Sequence, residues 1–222
     1  MSDPTANVGE AMMATITGGR RLESAAEMTP EYRENLIYDQ TNSMYSLWLA
    51  RDLLTDGFVV LNADVLFHPQ LLSNLLNATP EDALLIAYRD ATTPPFGDEE
   101  MKVKVRDGLV VDISKEMAPA EADGENVGMV KFGPSGARLL VRHMDELVAQ
   151  GLRRAWAPRA FAAFAAERPL YAIGTGDYPW IEIDFPEDYR RAVDEVLPQL
   201  LRAGGSGGSA PALAAVTEAA HG

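Results

Sequence analysis

The sequence predicts a three-layer α/β domain around a mixed, mostly parallel β-sheet. Apolar strand-like runs alternate with amphipathic helical segments along most of the chain, as in α/β proteins. One predicted antiparallel hairpin interrupts this alternation and makes the sheet mixed. A chain of 222 residues is long enough for one such domain with a full core. We place the domain at residues 31–202, after an irregular lead-in (1–30) and before a flexible tail (203–222) rich in Gly, Ser and Ala.

The composition excludes several classes of function. The net charge is −14 and the isoelectric point is near 4.6, so the chain lacks the basic surface that binds nucleic acid or anionic membranes. There is no cysteine, which excludes disulfides, thiolate metal sites and cysteine nucleophiles. No segment approaches the ~20 apolar residues of a membrane span, and the N-terminus lacks the pattern of a signal peptide. We therefore expect a cytoplasmic protein with neither nucleic-acid nor membrane partners.

The first elements of the domain are predicted to be a helix, a buried strand and a second helix. An N-cap candidate at Thr41 or Asn42 precedes apolar residues at helical spacing. The apolar run that follows predicts a strand at 58–63, buried on both faces. Pro69 begins the second helix, whose apolar side carries four leucines: Leu71, Leu72, Leu75 and Leu76.

The strongest hairpin signal in the chain is at residues 101–113. Its strands alternate apolar and polar residues around a turn at Asp107 and Gly108. This alternation puts Lys102 and Lys104 on the polar, solvated face. The other predicted elements are strands at 83–88, 126–132 and 170–173, helices at 134–150 and 158–167, the strand-like segment WIEID, and a helix from Pro186 to about Arg202 that Pro198 kinks or ends.

Carboxylates at two predicted strand ends are the best candidates for chemistry. Asp64 follows the buried strand at 58–63, and Glu182 and Asp184 lie at alternating positions in WIEID, on one face. If the two strand ends are neighbours, three carboxylates converge and offer the hard oxygen ligands that suit Mg²⁺. Such a site would serve phosphoryl or nucleotidyl transfer. From spacing alone, Asp64 could instead be a turn or N-cap aspartate, and Glu182 and Asp184 could form a solvated edge or cap the last helix.

Three separated motifs resemble those of the nucleotidyltransferases that make NDP-sugars and CDP-choline. They are TNSMYSLWLARDLLTDGFVVLNADVLFHPQLL, then DEEMKVKVRDGLVVDISKEM with EADGENVGMVKF, and finally WIEIDFPEDYRRA. The resemblance covers about residues 35–195 and is greatest to choline-phosphate and aminoalkylphosphonate cytidylyltransferases. It implies a GT-A-like fold and Mg²⁺-dependent transfer of a nucleoside monophosphate, with CTP favoured, to a phosphorylated acceptor with release of pyrophosphate.

The resemblance also implies roles for individual residues. Asp64 matches the first Mg²⁺ aspartate of the family, Glu182 and Asp184 match its second acidic motif, and Lys115 matches the motif lysine after the hairpin. The helix before the first aspartate would line the substrate side, and we add an aromatic that could contact a cationic head group. These substrate-side candidates are Asn42, Tyr45, Ser46 and Trp180. The candidates for nucleotide binding are Asn62 and Arg20.

The N-terminal part of the chain departs from the family pattern. Members begin with a strand and a Gly-rich loop that holds the nucleotide phosphates, whereas here only 40 residues precede Thr41. TGGRR at 17–21, which contains Arg20, is only a faint echo of that loop. We therefore expect a fold truncated at its N-terminus, with an unpaired sheet edge that favours homo-oligomers. Two alternatives stay open: a non-catalytic relative that acts as a binding or interaction module, and a GT-A glycosyltransferase-like protein.

Overall fold

The computed structural model describes residues 31–90, 96–97 and 99–204. The predicted lead-in, Arg20 and nearly all of the predicted tail lie outside these residues. The strands are β1 (Phe58–Leu61), β2 (Val65–Phe67), β3 (Ala83–Tyr88), β4 (Lys102–Arg106), β5 (Leu109–Ser114), β6 (Gly124–Phe132), β7 (Tyr171–Gly174) and β8 (Trp180–Glu182). The α-helices are α1 (Ser43–Leu49), α2 (Pro69–Asn77), α3 (Pro134–Ala149), α4 (Ala157–Glu167), α5 (Pro186–Arg191) and α6 (Leu197–Gly204).

Most of the strands form one central sheet, and β2 and β8 form a separate small one. The order in the central, six-stranded sheet is β1-β6-β3-β7-β5-β4, and β4 also pairs with the first residues of β6. The second sheet is an antiparallel pair in which Val65 lies opposite Glu182. The mixed α/β fold with a central sheet is therefore as the sequence predicts.

The predicted predominance of parallel pairing is wrong for the described residues. There, β3 and β7 form the one parallel pair, and the pairs β1–β6, β3–β6, β4–β5, β4–β6 and β5–β7 are antiparallel. The runs of β1 and β3 are continuously apolar, as in a parallel sheet, because both of their faces are covered. Strand β6 lies between them and runs the opposite way, which no local sequence signal shows.

Two apolar cores, one on each face of the sheet, produce the three layers. One core joins alternate residues of β1, β3 and β6, such as Phe58 and Val60, to α1, α3 and α4. The other joins the intervening residues, such as Val59 and Leu85, to Leu71 and Leu75 of α2. Successive strand residues face opposite sides of the sheet, so strands that are apolar on both sides pack against helices on both faces. Within the described ranges, every helix is too short or too polar to cross a membrane.

The hairpin follows the prediction in its turn but not in the environment of Lys102. Asp107 (φ 53°) and Gly108 (φ 76°) form the tight turn between β4 and β5. Lys102, however, is only 1% exposed. At this position β4 is flanked on both sides, by Ser114 of β5 and by Glu125 of β6, so it is not an edge strand there.

The last helical segment continues past Pro198 instead of ending there. A π-helical turn at Ala192–Val196 joins α5 to α6, and Pro198 lies in the first turn of α6. A proline lacks an amide hydrogen and its ring crowds the carbonyl four residues earlier. The wider π turn directly before Pro198 relieves that conflict, so the chain remains helical.

Candidate active site

The structure brings together Asp64, Glu182 and Asp184, the three carboxylates singled out from the sequence. One oxygen from each side chain lies within 4.8 Å of the others. The small β2–β8 sheet positions them: Val65 is opposite Glu182, and the Ile183 amide donates to the Asp64 carbonyl at 2.9 Å. Asp64 sits in the turn between β1 and β2, and the other two flank Ile183.

The crowding of like charges perturbs these carboxylates. Burial, with added repulsion from Asp184 and Asp64, raises the pKa of Glu182 to about 7. Burial and Asp64 also raise the pKa of Asp184, although the ammonium of Lys115 opposes that shift. Each neighbouring carboxylate makes ionisation of the next one harder.

The cluster fits a divalent cation. Its donors are carboxylate oxygens, which Mg²⁺ prefers, and their number leaves room for water and phosphate oxygens in an octahedral shell. A cation would offset the repulsion that raises the pKa of Glu182. The described residues therefore contain an acidic group able to hold a metal.

Asn62 and Gly128 hold the side chain of Glu182 in place. The Asn62 side chain makes a hydrogen bond to Glu182, and the backbone N–H of Asn62 donates to the Gly128 carbonyl at 2.9 Å. Gly128 has φ +79°, and a Cβ added there would lie 2.7 Å from the Asn62 side chain. The glycine is thus required for Asn62 to approach the metal cluster. The predicted role of Asn62 in nucleotide binding stays a prediction.

We expect Gly128→Ala to weaken both stability and divalent-metal binding, because the new methyl group displaces Asn62 from Glu182. Gly151→Ala is the matched control, since Gly151 has the same φ of +79° but nothing within 4 Å of an added Cβ. The control should cost about 1 kcal/mol for backbone strain alone, and Gly128→Ala a further ~1–3 kcal/mol for the steric clash. Denaturant unfolding with and without Mg²⁺ measures both effects. Equal losses in the two variants would contradict the assigned contact.

Lys115 also borders the carboxylate cluster. It directly follows β5, and its Nζ lies 3.0 Å from Glu99 Oε2 and 4.6 Å from the centre of the Trp156 ring. The lysine is also close enough to Asp184 to oppose the rise in the pKa of that carboxyl. Its ammonium is thus held at the edge of the carboxylate group, where it could meet a phosphate.

Sequence reasoning missed Glu125, a carboxylate beside this site. Glu125 lies on β6 opposite Lys102, and it adds to the repulsion that raises the pKa of Glu182. Burial, with repulsion from Glu100, raises the pKa of Glu125 to about 7. The polar start of the otherwise apolar strand GENVGMVKF is the one signal that could have found it. Trp156, whose ring contacts Lys115, has no sequence signal of this kind.

Glu125 makes the free energy of unfolding depend on pH. Its pKa rises from 4.5 to about 7 on folding, so the folded state binds the proton more tightly. The resulting stability is fully present below about pH 4.5 and is lost as the pH rises through 7. We expect a loss of about 2 kcal/mol between about pH 5 and about pH 8, with the same sign from Glu182.

Glu125→Gln should remove a large part of this pH dependence, because the amide does not titrate. Urea unfolding at both pH values in metal-free buffer measures it. Glu121→Gln, an exposed glutamate in a short 3₁₀ helix, is the control and should leave the wild-type slope. A Glu125→Gln slope equal to that of the wild type would contradict the burial of this carboxyl.

The remaining predicted residues divide into two groups. Trp180 lies two residues before Glu182 on β8, hence on the same face, and is partly buried. The others lie on or before α1: Asn42 caps the helix through the Ser43 amide, the Ser46 hydroxyl accepts from Asn35, and Tyr45 stacks on Trp48. The described contacts do not join this second group to the three carboxylates, so their substrate-binding role stays a prediction. Arg20 lies outside the described residues.

The start of α1 nevertheless contacts a loop that borders the candidate site. The amide of Asn42 donates to the Arg153 carbonyl at 3.0 Å, and the Ser43 hydroxyl accepts from the Ala157 amide at 2.9 Å. The loop between them carries Trp156, whose ring lies against Lys115. Helix α1 thus positions the aromatic side of the Lys115 contact.

The fold is that of nucleotidyltransferases of known structure, which confirms the resemblance at the level of the fold. No protein-family model matches the sequence, and neither does any curated protein sequence. Among solved structures, the chain is similar to the inositol-1-phosphate CTP transferase from T. maritima, with a TM-score of 0.57 and 17% identity over 77% of this chain and 65% of that one.

Two other neighbours have related activities in their names. The CTP:phosphocholine cytidylyltransferase LicC of Streptococcus pneumoniae has a TM-score of 0.56 and 23% identity, over 73% of this chain and 67% of that one. A Bacillus anthracis protein described as a glucose-1-phosphate thymidylyltransferase has a TM-score of 0.53 and 12% identity, over 78% of this chain and 65% of that one. The chain therefore spans about two thirds of the length of these neighbours.

Proposed function

We propose that this chain carries the metal and acceptor site of a Mg²⁺-dependent nucleotidyltransferase. It would transfer a nucleoside monophosphate from an NTP to a phosphorylated small molecule and release pyrophosphate. The observation that supports this most is the convergence of Asp64, Glu182 and Asp184 within 4.8 Å, at one edge of a fold shared with NTP transferases. Because the chain carries a net charge of −14, a bound cation would favour its binding of a polyphosphate.

Each group at the site has a role in the proposed reaction. An oxygen of the acceptor phosphate attacks the α-phosphorus of the NTP, and the bond from that phosphorus to the bridging oxygen of the β-phosphate breaks. Mg²⁺, when bound by Asp64, Glu182 and Asp184, would offset the negative charge that gathers on the phosphoryl oxygens. Lys115, already at the edge of the cluster, would hold a phosphate oxygen in line. Asn62 would keep Glu182 oriented.

The surroundings of the site favour an acceptor with a positively charged head group. Glu99 pairs with Lys115, Glu125 lies near Glu182, and Glu100 lies near Glu125, so the negative charge around the site exceeds what one Mg²⁺ offsets. Two aromatic rings are also near, Trp156 against Lys115 and Trp180 on the face of Glu182. An ammonium group against carboxylates and aromatic rings is a favourable arrangement. Phosphocholine is therefore the first acceptor to test.

The reaction products would identify the nucleotide that is used and would distinguish the proposed function from its two alternatives. CTP is the first nucleotide to test, because two of the neighbours are named as CTP-dependent transferases. A glycosyltransferase-like protein would instead consume a nucleotide sugar and release a nucleoside phosphate. A non-catalytic binding module would form no product with either.

We also propose that the chain acts as a homo-oligomer, because β1 pairs on one side only within the described residues.

The test is ³¹P NMR of the purified protein with Mg²⁺, CTP and either phosphocholine, inositol 1-phosphate or glucose 1-phosphate. We expect pyrophosphate and a CDP-linked product, fastest with phosphocholine, and no turnover when EDTA removes the metal. Absence of product with every acceptor, together with absence of Mg²⁺-dependent CTP binding by calorimetry, would overturn the proposal. CTP binding without product would favour the binding module.

A further inference from the structure

Lys102 is a buried cation that the proposed chemistry does not yet use. It is 1% exposed, and no ion pair of Lys102 is found among the described residues. Taking an ammonium out of water costs several kcal/mol unless it is well paired. An apolar side chain of similar volume would avoid this desolvation cost, but it would leave the acceptors of the ammonium without a donor. A lysine at this position therefore needs an explanation in terms of what its ammonium contacts.

The ammonium of Lys102 binds two backbone carbonyls that bracket the Lys115 contact. Its Nζ donates to the carbonyl of Lys115 at 2.8 Å and to the carbonyl of Glu100 at 3.4 Å. The first carbonyl belongs to the residue whose side chain borders the metal carboxylates. The second follows Glu99, the acid that pairs with Lys115 at 3.0 Å. One buried group thus ties together the two segments that set the position of the Lys115 ammonium.

Lys102 acts where the strand pairing between these segments ends. β4 begins at Lys102, which lies opposite Ser114, and β5 ends at Ser114, one residue before Lys115. The described contacts of the Lys115 side chain are the Glu99 carboxylate and the Trp156 ring. A charge-assisted bond to the Lys115 carbonyl is stronger than a neutral one, so it can hold the chain just past the end of a strand.

We propose that Lys102 is a positioning residue that holds Lys115 at the metal carboxylates, and so sets the rate of nucleotidyl transfer without touching the substrate. This inference rests on the proposed function for its effect on turnover. Its structural part, that Lys102 controls the environment of Lys115, stands on the hydrogen bonds alone. The two parts can therefore be tested separately.

The test is Lys102→Met, which keeps an unbranched side chain but removes both hydrogen bonds. Lys104→Met, two residues along β4 and less buried, is the matched control. The chain has four lysines (102, 104, 115 and 131), so acetylation followed by peptide mass spectrometry reports each ammonium. In Lys102→Met we expect Lys115 to be labelled faster, while Lys131, whose Nζ donates to the Ala78 carbonyl, keeps its wild-type rate.

Turnover provides the second measurement. We expect kcat of Lys102→Met to fall about 10- to 100-fold, as for a misplaced phosphate ligand, with little change in the Kd of Mg²⁺-CTP. A general loss of structure would instead weaken CTP binding and raise labelling at Lys131 too. If Lys102→Met does not fold, Lys102→Gln serves, since its amide can still donate one bond and should give a smaller change of the same sign.

The outcomes separate this inference from the proposed function. Unchanged labelling of Lys115 in the folded variant overturns the positioning role, whatever the activity. Faster labelling of Lys115 with wild-type kcat also overturns the assigned effect on catalysis. If Lys115 is labelled faster in Lys102→Met but the wild type shows no turnover, the positioning contact is supported. That result counts against the proposed function instead.

Discussion

Asp64→Asn should abolish the stabilisation of the protein by Mg²⁺ and reduce nucleotidyl transfer on the order of 100- to 1,000-fold. Asp64 supplies one of the three clustered carboxylate oxygens, and its backbone carbonyl is already fixed by the Ile183 amide. The amide replacement keeps the size of the side chain but removes a negative charge. Melting curves with rising Mg²⁺ and a pyrophosphate-release assay measure the two effects.

The matched control for this change is Asp194→Asn, an exposed aspartate in the π-helical turn of the last helical segment. It makes the same change in net charge away from the cluster, so metal stabilisation and turnover should equal those of the wild type. Without Mg²⁺, Asp64→Asn should be slightly more stable than the wild type, because repulsion with Glu182 and Asp184 is relieved. Equal responses to Mg²⁺ in the two variants would contradict the assignment.

Asp82→Ala should cost about 3 kcal/mol of stability, or roughly 10 °C in Tm. The Asp82 side chain is 3% exposed and accepts hydrogen bonds from the Gly133 amide at 3.0 Å and from Arg168 Nε at 2.6 Å. It thereby caps the start of α3 from a neighbouring strand end. A Cβ on Gly136, in the first turn of α3, would clash with this carboxylate.

Glu81→Ala tests whether burial or mere proximity to Arg168 matters. The Glu81 side chain is 65% exposed, and its carboxylate lies 3.7 Å from the same guanidinium. An exposed ion pair contributes little, so this variant should lose less than about 0.5 kcal/mol. Urea unfolding of both variants measures the difference. Comparable losses would show that Asp82 contributes no more than a surface charge.

The local elements of the fold could be predicted because their signals are local. Pro69 at the start of α2, the Asp107-Gly108 turn and the apolar runs of β1 and β3 each specify an element through its own residues. The direction of β6 could not be predicted, since pairing between distant strands depends on contacts that no window of sequence contains. The same limit applies to the small β2–β8 sheet, whose strands are three residues each.

The candidate site was predictable where the residue type itself suggests the chemistry. Asp64, Glu182 and Asp184 each follow or end an apolar run, and acidic residues in that place are conspicuous. Lys102 was assigned to solvent because alternation along β4 assumes that one face is exposed, whereas its side chain is buried and bonded to the Glu100 and Lys115 carbonyls. Glu125 was missed for the related reason that the burial of a strand's first residues is set by the neighbouring strands.

The most direct test of the metal-site assignment is to count bound Mn²⁺ by EPR in the presence of CTP. We predict one ion per chain, displaced by Mg²⁺, bound by the wild type and Asp194→Asn and absent from Asp64→Asn. The affinity should rise with pH through about 7, because Glu182 must lose its proton to bind the ion. A wild-type protein without a stoichiometric ion, or an Asp64→Asn variant that still binds one, would contradict the account.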